Sequence, residues 1–227
     1  MTEFHVLRVF LGPDGGGGNP LGVFLDGGAV APERRQAVAH ELGFSETVFV
    51  EHLAGRMAQI AIFTPAAELP FAGHPTVGTS WLLADRGTTV DTLRVRAADV
   101  ATWQEGERTW IRARASWVHQ FEIRHLRTVA EVDALRPGEL GDPGYYAWAW
   151  LDEPSGTLRS RYFPTEYGIV EDEATGAAAV VMGDRLGRPL TIRQGAGSEL
   201  LVRPDPAADL VEVGGRCRLE AVRNFPQ

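Results

Sequence analysis

Phe71-Ala-Gly-His-Pro-Thr-Val-Gly-Thr-Ser80 passes from a proline-flanked loop into a helix of small and apolar residues. Far along the chain, Val170-Glu-Asp-Glu-Ala-Thr-Gly-Ala-Ala-Ala179 does the same. Both helices are rich in Ala, Gly, Val and Leu, with few charges near their starts. A helix that is apolar nearly all round is buried. Short strands surround each one. The pair therefore predicts an α+β fold of two pseudo-symmetric β-rolls or half-barrels, each wrapped around a central helix. The two domains are expected at 1–115 and 116–227, the second shortened and its last strands packing back on the first.

Outward from these helices, apolar alternation and β-branched content predict strands. They are expected over His5–Leu11, Leu21–Leu25, Ser45–Val50, Arg56–Phe63, Tyr146–Leu151, Leu158–Tyr162, Leu190–Arg193, Glu199–Arg203 and Arg216–Val222. Leu93–Trp103 and Thr109–Ala115 read as a hairpin around Glu105-Gly106. Helices are expected over Pro32–Leu42, Pro75–Ala84, Val129–Leu135 and Ala174–Leu186, the first stopped by Gly43. Asp14–Pro20, with four glycines and a proline, reads as a loop, as does Pro65–Pro75. Pro137–Gly144 is the linker candidate.

The 227 residues suffice for one large or two small domains with a self-sufficient core. An excess of 30 acidic over 22 basic residues makes nucleic acid and anionic lipid poor partners. No apolar run reaches the ~18–20 residues of a membrane span. Met1–Phe10 has no signal-peptide layout. The single cysteine, Cys217, excludes an internal disulfide and any multi-cysteine metal site, and a cytoplasmic location is expected. Every basic residue is arginine. Without lysine, pyridoxal-phosphate chemistry, Schiff-base aldol chemistry and P-loop nucleotide hydrolysis are excluded. The histidines show no ligand spacing, so no metal is expected.

A buried helix start presents unpaired N–H groups and partial positive charge. Gly73 and Pro75 frame one start, Thr175 and Gly176 the other. If the halves face each other, both starts converge on one cleft suited to a carboxylate. The competing reading is that the glycines serve packing and Asp172 is a helix N-cap. Glu46 opens an apolar strand, where burial raises a carboxyl pKa and suits acid/base work; it also reads as a surface strand residue. His74 is a candidate proton carrier or substrate donor, or a plain loop histidine. Asp172 is a candidate acceptor for a substrate amine, or a group that orients His74.

Several segments, in order, resemble the PhzF-like isomerase family, named for phenazine biosynthesis. They are Gly18-Asn-Pro-Leu-Gly-Val-Phe24, Phe44-Ser-Glu-Thr-Val-Phe-Val50, Ile62-Phe-Thr-Pro65, Glu68-Leu-Pro-Phe-Ala-Gly-His-Pro-Thr-Val-Gly78, Arg161-Tyr-Phe163, Gly168, Val170–Gly176, Gln194-Gly195 and the closing strand from Val213. The resemblance implies a diaminopimelate-epimerase-like fold with the active site between two related domains. It implies that Glu46 is the acid/base that moves a proton on a small cyclic dienoic or amino acid. It casts His74 and Asp172 as orienting groups. Asn19, Ser45, Gly73, Thr175, Gly176, Ala177 and Gln194 would bind the substrate. No metal or organic cofactor is implied, and a homodimer is. The family's cysteine-pair relatives find no counterpart in the lone Cys217. Glu173 stands where the family usually has Pro, and Ala177 where it has Ser. Glu173 thus adds negative charge at the anion site unless it points to solvent. The chain is expected to be short between Ala115 and Tyr145. The alternatives are a racemase or epimerase of a small amino acid, or a non-catalytic small-acid binder of the same fold.

Overall fold

The structure is a computed structural model and describes residues 1–120, 122–137, 144–165 and 169–226. The linker candidate within Pro137–Gly144 and Gly168 fall largely or wholly outside these residues. The first half contains β1 (Thr2–Leu11), β2 (Gly17–Phe24), α1 (Arg35–Leu42), β3 (Glu46–Ala54), β4 (Met57–Phe63), β5 (Glu68–Leu69), α2 (Gly73–Asp85), β6 (Thr92–Arg94), β7 (Asp99–Glu105) and β8 (Arg108–Ala113). The second contains β9 (Glu122–His125), α3 (Val129–Ala134), β10 (Tyr145–Asp152), β11 (Thr157–Tyr162), α4 (Gly176–Leu186), β12 (Leu190–Gln194), β13 (Ser198–Asp205) and β14 (Leu210–Phe225).

Strands β1-β2-β3-β4-β6-β7-β8-β14 form a ring, because β14 also pairs with β1. Helix α2 threads it and packs on β1, β2, β8 and β14. The sheet continues from β14 through β13, β12, β11 and β10 to β9, curling over α4. The repeat read in the sequence returns in the pairing. In the first half β2–β3 and β4–β6 are parallel and flank antiparallel β3–β4. In the second half β9–β10 and β11–β12 are parallel and flank antiparallel β10–β11. The fold is therefore α+β with two related rolls on two central helices.

One apolar cluster runs through both rolls and includes Val77 and Leu82 of α2 and Val180 and Met182 of α4. A second lies outside the first roll under α1, where Phe24 and Phe49 stack at 4.9 Å and Phe49 meets Phe63 edge-on at 5.6 Å. Burial on both faces explains why these strands lack clean alternation.

Several elements differ from the sequence reading. β2 begins inside the glycine run: Gly17 and Gly18 take positive φ, and Gly17 still pairs with Leu11 of β1. Pro20 fits because the β3 ladder starts only at Leu21↔Glu46. The single strand expected over Leu93–Trp103 is folded by a tight Val95–Ala98 turn into β6 and β7. Two-residue β5 and edge strand β9 are additional. β14 is far longer than the segment foreseen, spanning 16 residues.

Candidate active site

The starts of α2 and α4 meet. A Cβ placed on Gly73 would lie 2.6 Å from the Gly176 backbone, and one on Gly176 2.8 Å from Gly73. Only glycine lets the two chains come this close. Neither helix has a side-chain cap: Ala72 offers none, and the Thr175 hydroxyl turns away to donate to Asp172 Oδ2 at 2.5 Å. The first N–H groups of both helices thus remain available, and both dipoles direct positive charge at one point.

That point is the floor of a narrow cleft of about 40 Å³. Glu46, Gly73, His74, Asp172, Thr175, Gly176 and Ala177 line it. Its walls are apolar at Leu69, Phe71, Pro164 and Ile169, with His119 and Tyr162 also facing it. No arginine lines the cleft among the described residues.

Glu46 begins β3, its side chain only 12% exposed. His74 Nε2 lies 3.3 Å from Glu46 Oε2, without the alignment of a hydrogen bond. These two buried atoms lack a hydrogen-bond partner within the protein. Unsatisfied polar atoms at this depth are costly, and a ligand in the cleft is their natural partner. On its other side, His74 Nδ1 is 3.3 Å from Asn19 Nδ2. Asn19 Nδ2 also donates to Asp172 Oδ1 at 2.6 Å and to the Ala174 carbonyl at 2.9 Å. Its Oδ1 accepts the Ser45 hydroxyl at 3.0 Å. The groups therefore form a line: Glu46, His74, Asn19, Asp172.

Burial sets the protonation states. It raises the Glu46 carboxyl well above the usual range, helped by the nearby Asp172 charge and opposed by Ser45. Burial also raises Asp172, against the hydrogen bonds from Thr175 and Asn19. It lowers His74 to about 3, so the imidazole is neutral.

Asn19, Ser45 and Gln194 do not line the cleft itself. Asn19 is a link of that line and Ser45 supports it from behind, both beside an open groove. Fully buried Gln194 donates from Nε2 to the Asp172 carbonyl at 2.8 Å and to Thr175 Oγ1 at 2.7 Å, while its Oε1 accepts the Thr175 N–H at 3.0 Å. It shapes the Asp172–Thr175 loop. Asp172 is not an N-cap; it precedes Thr175, the cap position of α4. Glu173 neither enters the cleft nor points simply to solvent, but accepts hydrogen bonds from the turn before β13. His119 and Tyr162 were not foreseen. Tyr162 had a signal, in the Arg161-Tyr-Phe163 segment; His119, on the crossover, had none. The crossover turn at Ala115–Trp117 packs on α4, and Trp117 meets Phe71 edge-on at 6.2 Å. Cys217 lies on β14 opposite Val9, and burial pushes its thiol up.

This fold is shared with racemases and epimerases of solved structure. A probable proline racemase of Agrobacterium radiobacter K84 aligns with a TM-score of 0.65 at 12% identity, over 100% of this chain and 93% of that one. A phenazine biosynthesis protein of the PhzF family from Bacillus anthracis aligns with a TM-score of 0.76 at 19% identity, over 100% and 99%. The PhzC-PhzF family model, phenazine biosynthesis-like protein, matches residues 12–133. Trans-2,3-dihydro-3-hydroxyanthranilate isomerase of Pseudomonas fluorescens is 31% identical over 81% of this chain and 80% of its own length. The enzyme of the same name from Pseudomonas aeruginosa is 34% identical over the same shares. The chain belongs to the phenazine biosynthesis-like family, and these two Pseudomonas relatives are named isomerases.

Proposed function

We propose that the protein is a cofactor-independent isomerase that moves a proton, and with it a double bond, on a small cyclic carboxylate or amino acid. The observation that carries this reading is the pairing of two uncapped helix starts with a buried carboxyl, 3.3 Å from a neutral imidazole, in one cleft. The substrate carboxylate sits on the N–H groups near Gly73, Gly176 and Ala177. Glu46 as carboxylate takes a proton from an activated carbon, and the raised pKa makes it a stronger base. The electron pair spreads through the conjugated system towards the carboxylate, where the helix dipoles stabilise it. Glu46, now protonated, returns the proton at another carbon. His74 Nδ1 lies 3.3 Å from Asn19 Nδ2, and the Pro20 carbonyl also holds the ring, while Nε2 is directed at Glu46 and the substrate. Asp172 is close enough through Asn19 to orient this imidazole.

Ala177 brings no hydroxyl to the helix start, so the anion contact there is made by backbone alone. Trans-2,3-dihydro-3-hydroxyanthranilate, the substrate in the names of the Pseudomonas relatives, is the first candidate. The experiment is NMR of that acid in D₂O with wild type and Glu46→Gln. Wild type incorporates deuterium at carbon; Glu46→Gln binds in a thermal-shift assay but loses about 10²–10⁴-fold in rate. Equal exchange by both proteins would remove Glu46 from the chemistry. Binding by both without exchange would leave a small-acid binder.

A further inference from the structure

Glu173 is the one acid of the Val170–Ala179 stretch that the cleft and the surface ion pairs leave unexplained. Its Oε1 and Oε2 accept the Ala196 N–H at 2.8 and 2.9 Å, and Oε1 accepts the Ser198 hydroxyl at 2.9 Å. Ser198 is fully buried, and its Oγ accepts the Gly18 N–H at 2.8 Å. The next residue after Gly18 is Asn19, which donates to Asp172. Two consecutive acids thus hold two consecutive residues of β2. Asp172 holds the Asn19 side chain, and Glu173, through Ser198, holds the backbone before it. The fit leaves no slack. Gly195 has φ +59°, and a Cβ there would lie 2.2 Å from Glu173 Oε2. A Cβ on Gly17 would lie 2.5 Å from Ser198 N.

We propose that Glu173 is a positioning residue of this site: through Ser198 and Gly18 it fixes Asn19 between Asp172 and His74, and so fixes how the His74 imidazole faces Glu46. It touches no substrate atom. The Asn19–His74 contact, at 3.3 Å, is the longest of the three that Asn19 Nδ2 makes. Both Nδ2 hydrogens go to Asp172 Oδ1 and the Ala174 carbonyl, so a small shift of β2 alters the looser His74 contact first. The kinetic consequence rests on the Glu46 reading; the structural one does not.

The test uses ¹⁵N-histidine-labelled, unliganded protein and two-bond ¹H–¹⁵N correlation spectra of His74, in wild type, Glu173→Ala, Glu173→Gln and Ser198→Ala. Wild type is expected to show a single tautomer. Glu173→Ala and Ser198→Ala are expected to move the Nδ1 resonance towards a mixture of tautomers. Glu173→Gln retains an acceptor for the Ala196 N–H and is expected to stay near wild type. With trans-2,3-dihydro-3-hydroxyanthranilate as probe, Glu173→Ala lowers kcat by up to about 10²-fold, the scale of a 1 Å misplacement, and changes KM little. Glu173→Gln restores most of it. Unchanged His74 spectra in both Glu173→Ala and Ser198→Ala, whatever happens to Tm, would overturn the proposal. If wild type fails to turn over the probe, the Glu46 reading for that substrate fails, and the His74 spectra still decide the role of Glu173. If Glu173→Ala does not fold, Ser198→Ala carries the same comparison.

Discussion

Glu46 and Asp172 are two buried carboxyls held apart by a neutral imidazole and a carboxamide. Their folded pKa values lie above the ordinary carboxylate range. Each therefore contributes stability that is full below that range and is lost as pH rises through the folded value. His74 has the opposite sign: lowered from 6.5 to about 3, it contributes stability present above 6.5 and lost as pH falls towards 3. Glu46→Gln replaces a carboxyl that ionises with an amide that cannot. The Tm of Glu46→Gln minus that of wild type should thus grow between pH 5 and pH 8; a flat or falling difference in a pH-resolved melting series refutes the raised pKa. Asn19→Ala leaves Asp172 Oδ1 and the Ala174 carbonyl short of a donor, and should cost about 1–3 kcal/mol in urea unfolding. The meeting of Glu46, His74 and Asp172 at one cleft was legible because each sits in a compact motif. The supporting work of Asn19, Ser45 and Gln194 was not, because their partners are remote in sequence: Asn19 reaches Asp172 and Gln194 holds Thr175. His119 stood in no pattern at all, and only the path of the crossover brings it to the cleft.

At the scale of elements, the two helices matter for where they begin. Gly73→Ala and Gly176→Ala each add a methyl where backbone already lies within 2.6–2.9 Å. The helix starts must separate, which costs about 1–3 kcal/mol as overpacking. The loss of anion binding should exceed what stability alone explains, so a folded Gly176→Ala should show a weaker thermal shift with the probe acid. The helices were legible because their composition marks them as buried. Their first turns were less so, since Gly and Pro carry no cap signal, and both helices start a residue or two from the expected position. The strands divide on physical lines. Runs covered on one or both faces were readable. The Val95–Ala98 turn was not, because it interrupts an apolar alternation without a breaker other than its own hydrogen bonds. β9, with exposed Glu122, Arg124 and His125, has no apolar face to read. Such a short, charged edge resists pairing with other chains.

At the scale of the molecule, the two rolls share β14. Residues Val211–Gly215 pair with β8, Leu210–Gly214 with β13, and Arg216–Phe225 with β1. The sequence showed two halves and a closing strand, but not that this one strand is common to both, because strand pairing across the full chain leaves no local trace. We infer boundaries at 1–115 and 116–227 for the two rolls, with β14 crossing between them. A truncation after Asp209 is expected to yield no cooperative unfolding transition, and residues 1–115 expressed alone should not melt as a folded domain either. A sharp calorimetric transition in that fragment would contradict the shared-strand account. Among the described residues no helix is long and apolar enough to cross a membrane. The pairing of Thr2 with Phe225 has a consequence in time. On the ribosome, β1 and β8 emerge with their outer edges bare, and the strand that covers them is translated after every other described strand. Closure is a contact between the most distant parts of the chain, the slowest kind to form. The nascent protein therefore waits, half-built, with open sheet edges, and its yield in a cell should depend on what shelters those edges until the last strand arrives.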